Sequence, residues 1–145
     1  METILVTGGC GYLGSQLLRQ IRSNEALEDA RIRILDNLQA GDSRALMDLP
    51  EGGPYQFVEG DLLDPSVLRL ALRDVDAVVH LAAVVHTPFS FEDPNWVEQV
   101  NHWGTSHLVE ACLSADIERF VLASSGAVYG PGGPFTEQDP CRPNG

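Results

Sequence analysis

The sequence predicts an α/β fold built on a doubly wound parallel sheet, with helices on both faces. Strand-like apolar runs alternate with helix-like segments five times along the chain. The runs are almost continuously apolar, which is typical of parallel strands buried on both faces. A glycine-rich turn joins the first strand to the first helix. The 145 residues are enough for one domain, which we expect to span residues 1–145.

The predicted strands are short runs rich in β-forming residues, at 3–7, 31–36, 55–59, 77–81 and 119–123. The predicted helices have apolar residues at helical spacing or start with a capping residue and a proline, at 12–23, 42–49, 64–73 and 94–115. Segment 130–145 contains four prolines and four glycines, which predicts a loop.

Composition and charge narrow the classes of protein. The net charge of −12 argues against binding to nucleic acid, because phosphates would be repelled. Three cysteines without CxxC spacing argue against a disulfide framework and favour a reducing cytoplasm. No signal peptide and no apolar run of about 18 residues is present, so no membrane span is expected.

The turn at positions 7–14 reads TGGCGYLG. Two registers fit a dinucleotide-binding motif, one starting at Gly8 and one at Gly9, and both continue through Gly11 and Gly14. Glycines permit the tight turn, the approach of a pyrophosphate and close packing of the helix, whose free N–H groups bind phosphate. A flexible loop is the alternative, but the flanking strand and helix favour a Rossmann-type phosphate site. Its predicted cofactor contacts are Gly8, Gly11, Tyr12, Leu13 and Gly14.

Asp36 ends the second predicted strand, 22 residues after Gly14. A carboxylate in this position accepts hydrogen bonds from both ribose hydroxyls of an adenosine and repels a 2′-phosphate, so it selects NAD over NADP. The alternative is an ordinary turn aspartate, because the pair Asp36-Asn37 is turn-prone. We favour the ribose role and predict NAD as the cofactor.

Several further motifs occur in a fixed order. They are DNLxxG at 36–41, GDL at 60–62, HLAA at 80–83, SxxDP from Ser90 to Pro94, NxxGT at 101–105, SSGAVYG at 124–130, and Thr136-Glu137 with Pro140 and Pro143. With the glycine turn, this set resembles the extended short-chain dehydrogenase/reductase family of NAD-dependent epimerases and dehydratases, which includes UDP-glucose 4-epimerase. The resemblance covers essentially the whole chain.

The resemblance implies roles for individual residues. Ser125 is the catalytic serine that hydrogen-bonds the reacting sugar hydroxyl or carbonyl. The implied cofactor contacts beyond the glycine turn are Asp36, Asn37, Leu38, Asp61, Leu62, Leu81, Ala82, Ala83, Asn101 and Ser124. From the residues alone, Asp61 could cap a turn, the two alanines could pack a strand end, and the serine pair could be a solvated loop. Asn101 has poor helix propensity, which favours a buried hydrogen-bonding role.

Two departures from the family pattern carry information. Gly126 and Ala127 stand where nucleotide-sugar dehydratases have an Asp-Glu pair, which argues against a 4,6-dehydratase. The catalytic Tyr-x-x-x-Lys motif is absent, because Tyr129 is followed four residues later by Gly133 and all nine basic residues are arginines. We therefore expect the later strands and the substrate domain to lie beyond Gly145, and this chain alone to be inactive.

The implied substrate is a nucleotide sugar, and the parent protein is expected to be a homodimer. Two alternatives stay open: a non-catalytic NAD-binding or interaction module, and a reductase acting on a non-sugar carbonyl or hydroxyl. Trp96 and Trp103 lie seven residues apart on one predicted helix, as in a packing stripe or a dimer helix. No metal site is expected from the four histidines, His80, His86, His102 and His107.

Overall fold

The computed structural model describes residues 1–47, 49–85 and 92–143. Five parallel strands form one sheet in the order β3-β2-β1-β4-β5. They are β1 (Thr3–Thr7), β2 (Arg31–Asp36), β3 (Tyr55–Glu59), β4 (Ala77–His80) and β5 (Arg119–Leu122). The predicted Rossmann-type fold is confirmed. The chain reverses its direction of travel across the sheet between β1 and β4, which is where such folds bind ligands.

Among the described residues, four α-helices lie between the strands: α1 (Tyr12–Gln20), α2 (Pro65–Ala71), α3 (Pro94–Glu98) and α4 (Thr105–Ser114). A π-helical segment, Gln99–Gly104, joins α3 to α4, so the helix predicted as one element over 94–115 widens in its middle. The α2 helix begins as its sequence predicts, because the Asp64 carboxylate accepts hydrogen bonds from the N–H groups of Ser66 and Val67. No helix in the described part of the chain is both long and apolar enough to cross a bilayer.

The helix predicted over 42–49 is only a 3-10 turn, Ser43–Leu46. Asp42 caps this turn by accepting from the Arg44 N–H, and Met47 returns to extended geometry, so one turn is all that forms. Asp48 lies outside the described residues, as do His86, Ser90 and Gly145. Another 3-10 turn, Gly126–Tyr129, lies at the start of the segment that follows β5.

Two apolar clusters cover the two faces of the sheet. Ile4 and Val6 of β1 point to one face and pack with Leu18 of α1, while Leu5 points to the other and packs with Leu68 of α2 and Leu108 of α4. Alternate residues of β1 are therefore buried on opposite faces, which explains why this strand is apolar throughout.

The two edge strands depart from the prediction that all strands are buried on both faces, since only Val58 of β3 is buried, and the departure is greatest in the fifth strand. All four of its residues are exposed, with Val121 at 57% and Leu122 at 53%. An apolar run indicates a strand that can be buried, but burial also needs covering elements and a neighbour on each side. Within the described residues β5 pairs with β4 alone.

Two arginines donate hydrogen bonds to backbone carbonyl groups at the end of the sheet opposite the glycine turn. Arg33 is 6% exposed, and its guanidinium donates to the carbonyl oxygens of Ala71 and Arg73 at the C-terminus of α2. Burial lowers the pKa of the Arg33 guanidinium. Arg22 donates to four backbone carbonyls and lies over the Tyr55 ring, 4.8 Å from its centroid.

Candidate functional site

A cavity of about 550 Å³ opens at the carboxyl ends of β1, β2 and β4. We call it the first cavity. Nine of the predicted site residues line it: Gly8, Gly11, Asp36, Asn37, Asp61, Leu62, Leu81, Ala82 and Ala83. The motifs that carry these residues are spread over more than seventy positions in the sequence, and the sheet order brings them to one edge.

The glycines of the turn have different structural reasons. Gly8 has φ +70°, and a Cβ on it would lie 2.6 Å from the Ala82 backbone nitrogen. A Cβ on Gly14 would lie 2.3 Å from the Gly8 carbonyl oxygen, so Gly14 allows α1 to pack on the turn. A Cβ on Gly11 would meet only that same oxygen, at 3.2 Å. Folding therefore demands Gly8 and Gly14 more strictly than Gly11, which faces the first cavity.

The structure places Gly9 away from the first cavity, where a Cβ would meet the Ile34 side chain at 2.5 Å. Since Gly8 lines the cavity, the register that starts at Gly8 is the one that fits the geometry. The α1 helix begins at Tyr12 without a side-chain cap, so the first-turn N–H groups of Tyr12, Leu13 and Gly14 have no acceptor within the helix. The side chains of Tyr12 and Leu13 are exposed, so at these two positions the backbone N–H groups are the groups available to a ligand.

Asp36 is 9% exposed, and hydrogen bonds hold its carboxylate on both sides. One oxygen accepts from the Cys10 N–H at 2.9 Å, and the other accepts from the Leu38 N–H at 2.8 Å. Leu38 has φ +59°, which turns the chain back over the carboxylate. Each oxygen keeps a free lone pair, so a ligand hydroxyl can be accepted without breaking this frame.

A second carboxylate, Asp61, closes the adjacent wall. Its oxygens accept from the Leu63 N–H and from the Asn37 amide, both at 2.9 Å. The turns after β2 and β3 are thereby tied together beside the first cavity. Asp61 does form a turn with its own backbone, as the residue-based alternative proposed, and it lines the cavity as well.

A second cavity, of about 420 Å³, lies between the ends of β4 and β5. It shares the segment from Leu81 to Val85 with the first cavity and adds Asn101, Ser124 and Ser125. The Ser125 hydroxyl accepts from the Ala127 N–H at 3.1 Å and caps the short turn that follows. We call the shared segment, residues 81–85, the shared wall. The three predicted site residues Asn101, Ser124 and Ser125 lie on its β5 side.

Asn101 has a structural role that the sequence only hinted at. Its side-chain oxygen accepts from the Val84 N–H at 2.7 Å, and its amide nitrogen donates to the Val84 carbonyl at 2.9 Å. The side chain is thus paired with the backbone of the wall between the two cavities. Its widened π-helical setting is the kind of irregularity often found at functional sites.

Three side chains at this site, those of Trp96, Val100 and His80, were not predicted as site residues from the sequence. Trp96 and Val100 line the first cavity, so Trp96 does not serve only as a packing or dimer residue. Trp103, by contrast, is 54% exposed. His80, interpreted only as part of a motif, is 2% exposed and hydrogen-bonded at both ring nitrogens, and its burial lowers the pKa of the imidazole to about 4.

The remaining polar groups include the Cys10 thiol and the side chains that could bind a metal. Burial, with Asp36 and Asp42 nearby, raises the pKa of the Cys10 thiol to about 11, so this cysteine in the glycine turn is a neutral packing residue. Among residues 1–47, 49–85 and 92–143, no three His, Cys, Asp or Glu side chains gather as metal ligands.

The parallel sheet and the glycine turn together define a Rossmann-type α/β domain. Residues 4–145 match the model of the NAD dependent epimerase/dehydratase family, and the chain belongs to that family. The low-salt glycan biosynthesis protein Agl12 of Haloferax volcanii is 36% identical over 146 residues, a match that covers 97% of this chain and 45% of that protein.

Solved structures agree with this assignment. DesIV, the dTDP-glucose 4,6-dehydratase of Streptomyces venezuelae solved with NAD and TYD bound, has a TM-score of 0.89 and 34% identity, over 98% of this chain and 46% of that one. UDP-glucose 4-epimerase of Thermus thermophilus, solved with NAD, has a TM-score of 0.81 and 36% identity, over 97% and 44%. The chain therefore spans less than half the length of these relatives.

Proposed function

We propose that this chain is the NAD-binding part of a nucleotide-sugar epimerase or related oxidoreductase that works by transient hydride transfer at a sugar hydroxyl. The observation that carries the proposal is the placement of Asp36. Its buried carboxylate faces the first cavity beside the glycine turn, with a free lone pair on each oxygen. That is the arrangement needed to accept the two ribose hydroxyls of an adenosine.

The residues around the first cavity fit a dinucleotide. Gly11 leaves the start of α1 open, where the free N–H groups and the positive end of the helix dipole would attract a phosphate. Asp61 and Leu62 form the wall assigned to the adenine, and Trp96 adds an aromatic surface. In a chain of net charge −12, these local donors are what hold an anionic ligand.

The residues of the second cavity fit the reacting end. When bound, NAD supplies the hydride acceptor for a sugar C–OH. Ser125 is proposed to hydrogen-bond the reacting oxygen, and Ser124 and Asn101 to support the nicotinamide end. A tyrosine paired with a lysine, expected outside these 145 residues, would take the proton.

The substrate class follows from the relatives. Their names include UDP-glucose 4-epimerase and dTDP-glucose 4,6-dehydratase, both of which act on nucleotide sugars. Gly126 and Ala127 offer no acid beside Ser125, which favours an epimerase or reductase over a dehydratase. We also propose a cytoplasmic homodimer, supported by three free cysteines and the exposed Trp103 on the helix after β4.

Calorimetric titration of the 145-residue chain tests cofactor choice. NAD should bind more tightly than NADP, and Asp36→Ala should weaken NAD binding by about 1–3 kcal/mol, because hydrogen-bonding groups lose their partner. Asp29→Ala is the matched control, since it removes an equal charge from an exposed site away from the cavity. Equal or tighter binding of NADP to the unmutated chain would overturn the proposal.

Turnover tests the division of labour between this span and the rest of the parent. With UDP-, GDP- or dTDP-sugars, the 145-residue chain should yield neither reduced nicotinamide nor an epimerised or oxidised sugar, because loss of a general base alone costs about 10²–10⁴ in rate. A C-terminal extension that carries Tyr-x-x-x-Lys should restore activity. Turnover by the chain alone would refute this assignment of roles.

A further inference from the structure

A buried histidine connects three elements around the wall shared by the two cavities. The His80 ring lies at the end of β4 and is 2% exposed. Its Nδ1 is 2.6 Å from the Thr7 hydroxyl at the end of β1, and its Nε2 is 2.9 Å from the Thr105 hydroxyl at the start of α4. No charged side chain takes part in these contacts.

The direction of each hydrogen bond follows from counting protons. The Thr105 hydroxyl has one proton, and it donates that proton to the Asn101 carbonyl at 2.7 Å. The His80 Nε2 must therefore be the donor toward Thr105. In a neutral imidazole Nδ1 is then an acceptor, so Thr7 donates to it, and the Thr7 oxygen accepts from the Ala82 N–H at 3.3 Å.

These bonds form a continuous path that returns to the wall. It begins at the Ala82 N–H and passes through Thr7, His80 and Thr105 to the Asn101 carbonyl. The Asn101 side chain then holds both backbone groups of Val84. Ala82 and Val84, which line both cavities, are thus held from the two ends of one network.

An apolar side chain could fill the same buried space without the cost of desolvating an imidazole. The imidazole instead supplies one acceptor and one donor on opposite sides of one rigid ring, which a hydrocarbon cannot do. A protonated ring would present two donors, and the Thr7 proton would then lose its acceptor. The network therefore requires one tautomer of the neutral ring.

We propose that His80 is a positioning residue that, as the neutral Nε2–H tautomer, holds the Ala82–Val84 wall in the geometry that receives the cofactor. The identity of the ligand rests on the proposed function, whereas the tautomer and the wall do not. Thr7 offers the cleanest test, because it is fully buried and lines neither cavity. Any effect of changing its hydroxyl must pass through the network.

The first measurement is the ¹⁵N correlation spectrum of the histidine rings in the unmutated 145-residue chain at neutral pH. His80, assigned by its loss in His80→Gln, should show a pyrrole-type Nε2 and a pyridine-type Nδ1. An Nδ1–H tautomer or a charged ring would overturn the proposal, and this readout does not depend on a bound ligand or on the folding of a weakened variant.

The second measurement compares Thr7→Val, which keeps the shape, with Thr7→Ser, which keeps the hydroxyl. Thr7→Val should shift the amide resonances of both Ala82 and Val84 and weaken NAD binding about 3- to 10-fold, the worth of one neutral hydrogen bond. Thr7→Ser should stay within about 2-fold of the unmutated chain. Titrations are run where circular dichroism shows each variant fully folded.

The outcomes separate the two proposals. If NAD binds the unmutated chain and Thr7→Val changes neither its affinity nor the Val84 amide, the positioning role is wrong while the proposed function stands. If NAD does not bind the unmutated chain, the proposed function fails. The tautomer and the coupled shifts of Ala82 and Val84 then decide whether the network holds the wall.

Discussion

The two cavities share one wall, but the residues that line them are held in place to different degrees. Around the first cavity, the carboxylates of Asp36 and Asp61 are each held by two hydrogen bonds, and β1 and β2, which lead into the glycine turn and Asp36, are buried. On the far side of the second cavity, Ser125 is exposed and follows β5, a strand with an open side. The side chains around the first cavity are thus fixed by contacts within this span, whereas Ser125 in the second cavity has less support. Under the proposed function, these are the nucleotide half and the reacting half of the site.

The largest expected effect distinguishes two glycines of the glycine turn, of which Gly11 lines the first cavity and Gly14 does not. Gly14→Ala should cost about 3 kcal/mol of unfolding free energy, because its Cβ would lie 2.3 Å from the Gly8 carbonyl oxygen. Gly11→Ala should stay folded, since its Cβ meets only that oxygen at 3.2 Å, yet it should weaken NAD binding by crowding the helix start. Urea unfolding and calorimetry measure the pair. A Gly14→Ala midpoint equal to the parent's would show that the frame is looser than described.

The next effect concerns the shared wall and pH. Burial holds the folded-state pKa of His80 at about 4, whereas the unfolded value is about 6.5. Between these values the unfolded chain binds the extra proton, so stability is intact above about pH 6.5 and falls as pH drops toward 4, by about 2–3 kcal/mol. The acid-induced loss of stability should be smaller in His80→Gln, as measured by denaturant unfolding at several pH values. Equal slopes for the two proteins would contradict this.

A smaller effect is expected in the second cavity. Ser125→Ala removes the cap of an exposed 3-10 turn and should cost less than about 1 kcal/mol of unfolding free energy. Its NAD affinity should match that of the parent chain, because the serine lies on the β5 side of the wall. A clear loss of NAD affinity would contradict this division of roles, because it would show that Ser125 contributes to nucleotide binding.

The smallest effect on monomer stability is expected on β5 itself. Val121 is 57% exposed on a strand with unpaired backbone groups, so the 145-residue chain should self-associate as its concentration rises. Val121→Glu should reduce that association with little change in the unfolding midpoint, as followed by light scattering. Leu70→Glu, at an exposed position of α2, is the control and should leave association unchanged. A monomeric parent chain at all concentrations would contradict the prediction.

Much of the first cavity was predictable because its determinants are local. A glycine turn between a strand and a helix, and an acid at the next strand end, can each be recognised over a few residues, and the parallel fold places them together. The bonds of Asp36 to Cys10 and of Asn37 to Asp61 confirm that closeness. The side chains of Trp96 and Val100 escaped prediction, because which face of a helix meets a cavity depends on how that helix docks.

The sequence by itself determined the alternation of strands and helices, the glycine turn, the acid at the end of β2 and the family to which they belong. The tertiary structure decided which strands stay exposed, which glycines of the turn face the cavity and which His80 tautomer links β1 to α4. The physical reason is the separation along the sequence over which each kind of interaction acts. Backbone propensities and turn chemistry act within a few residues, whereas burial and the pairing of Thr7, His80 and Thr105 join groups as far as 73 positions apart.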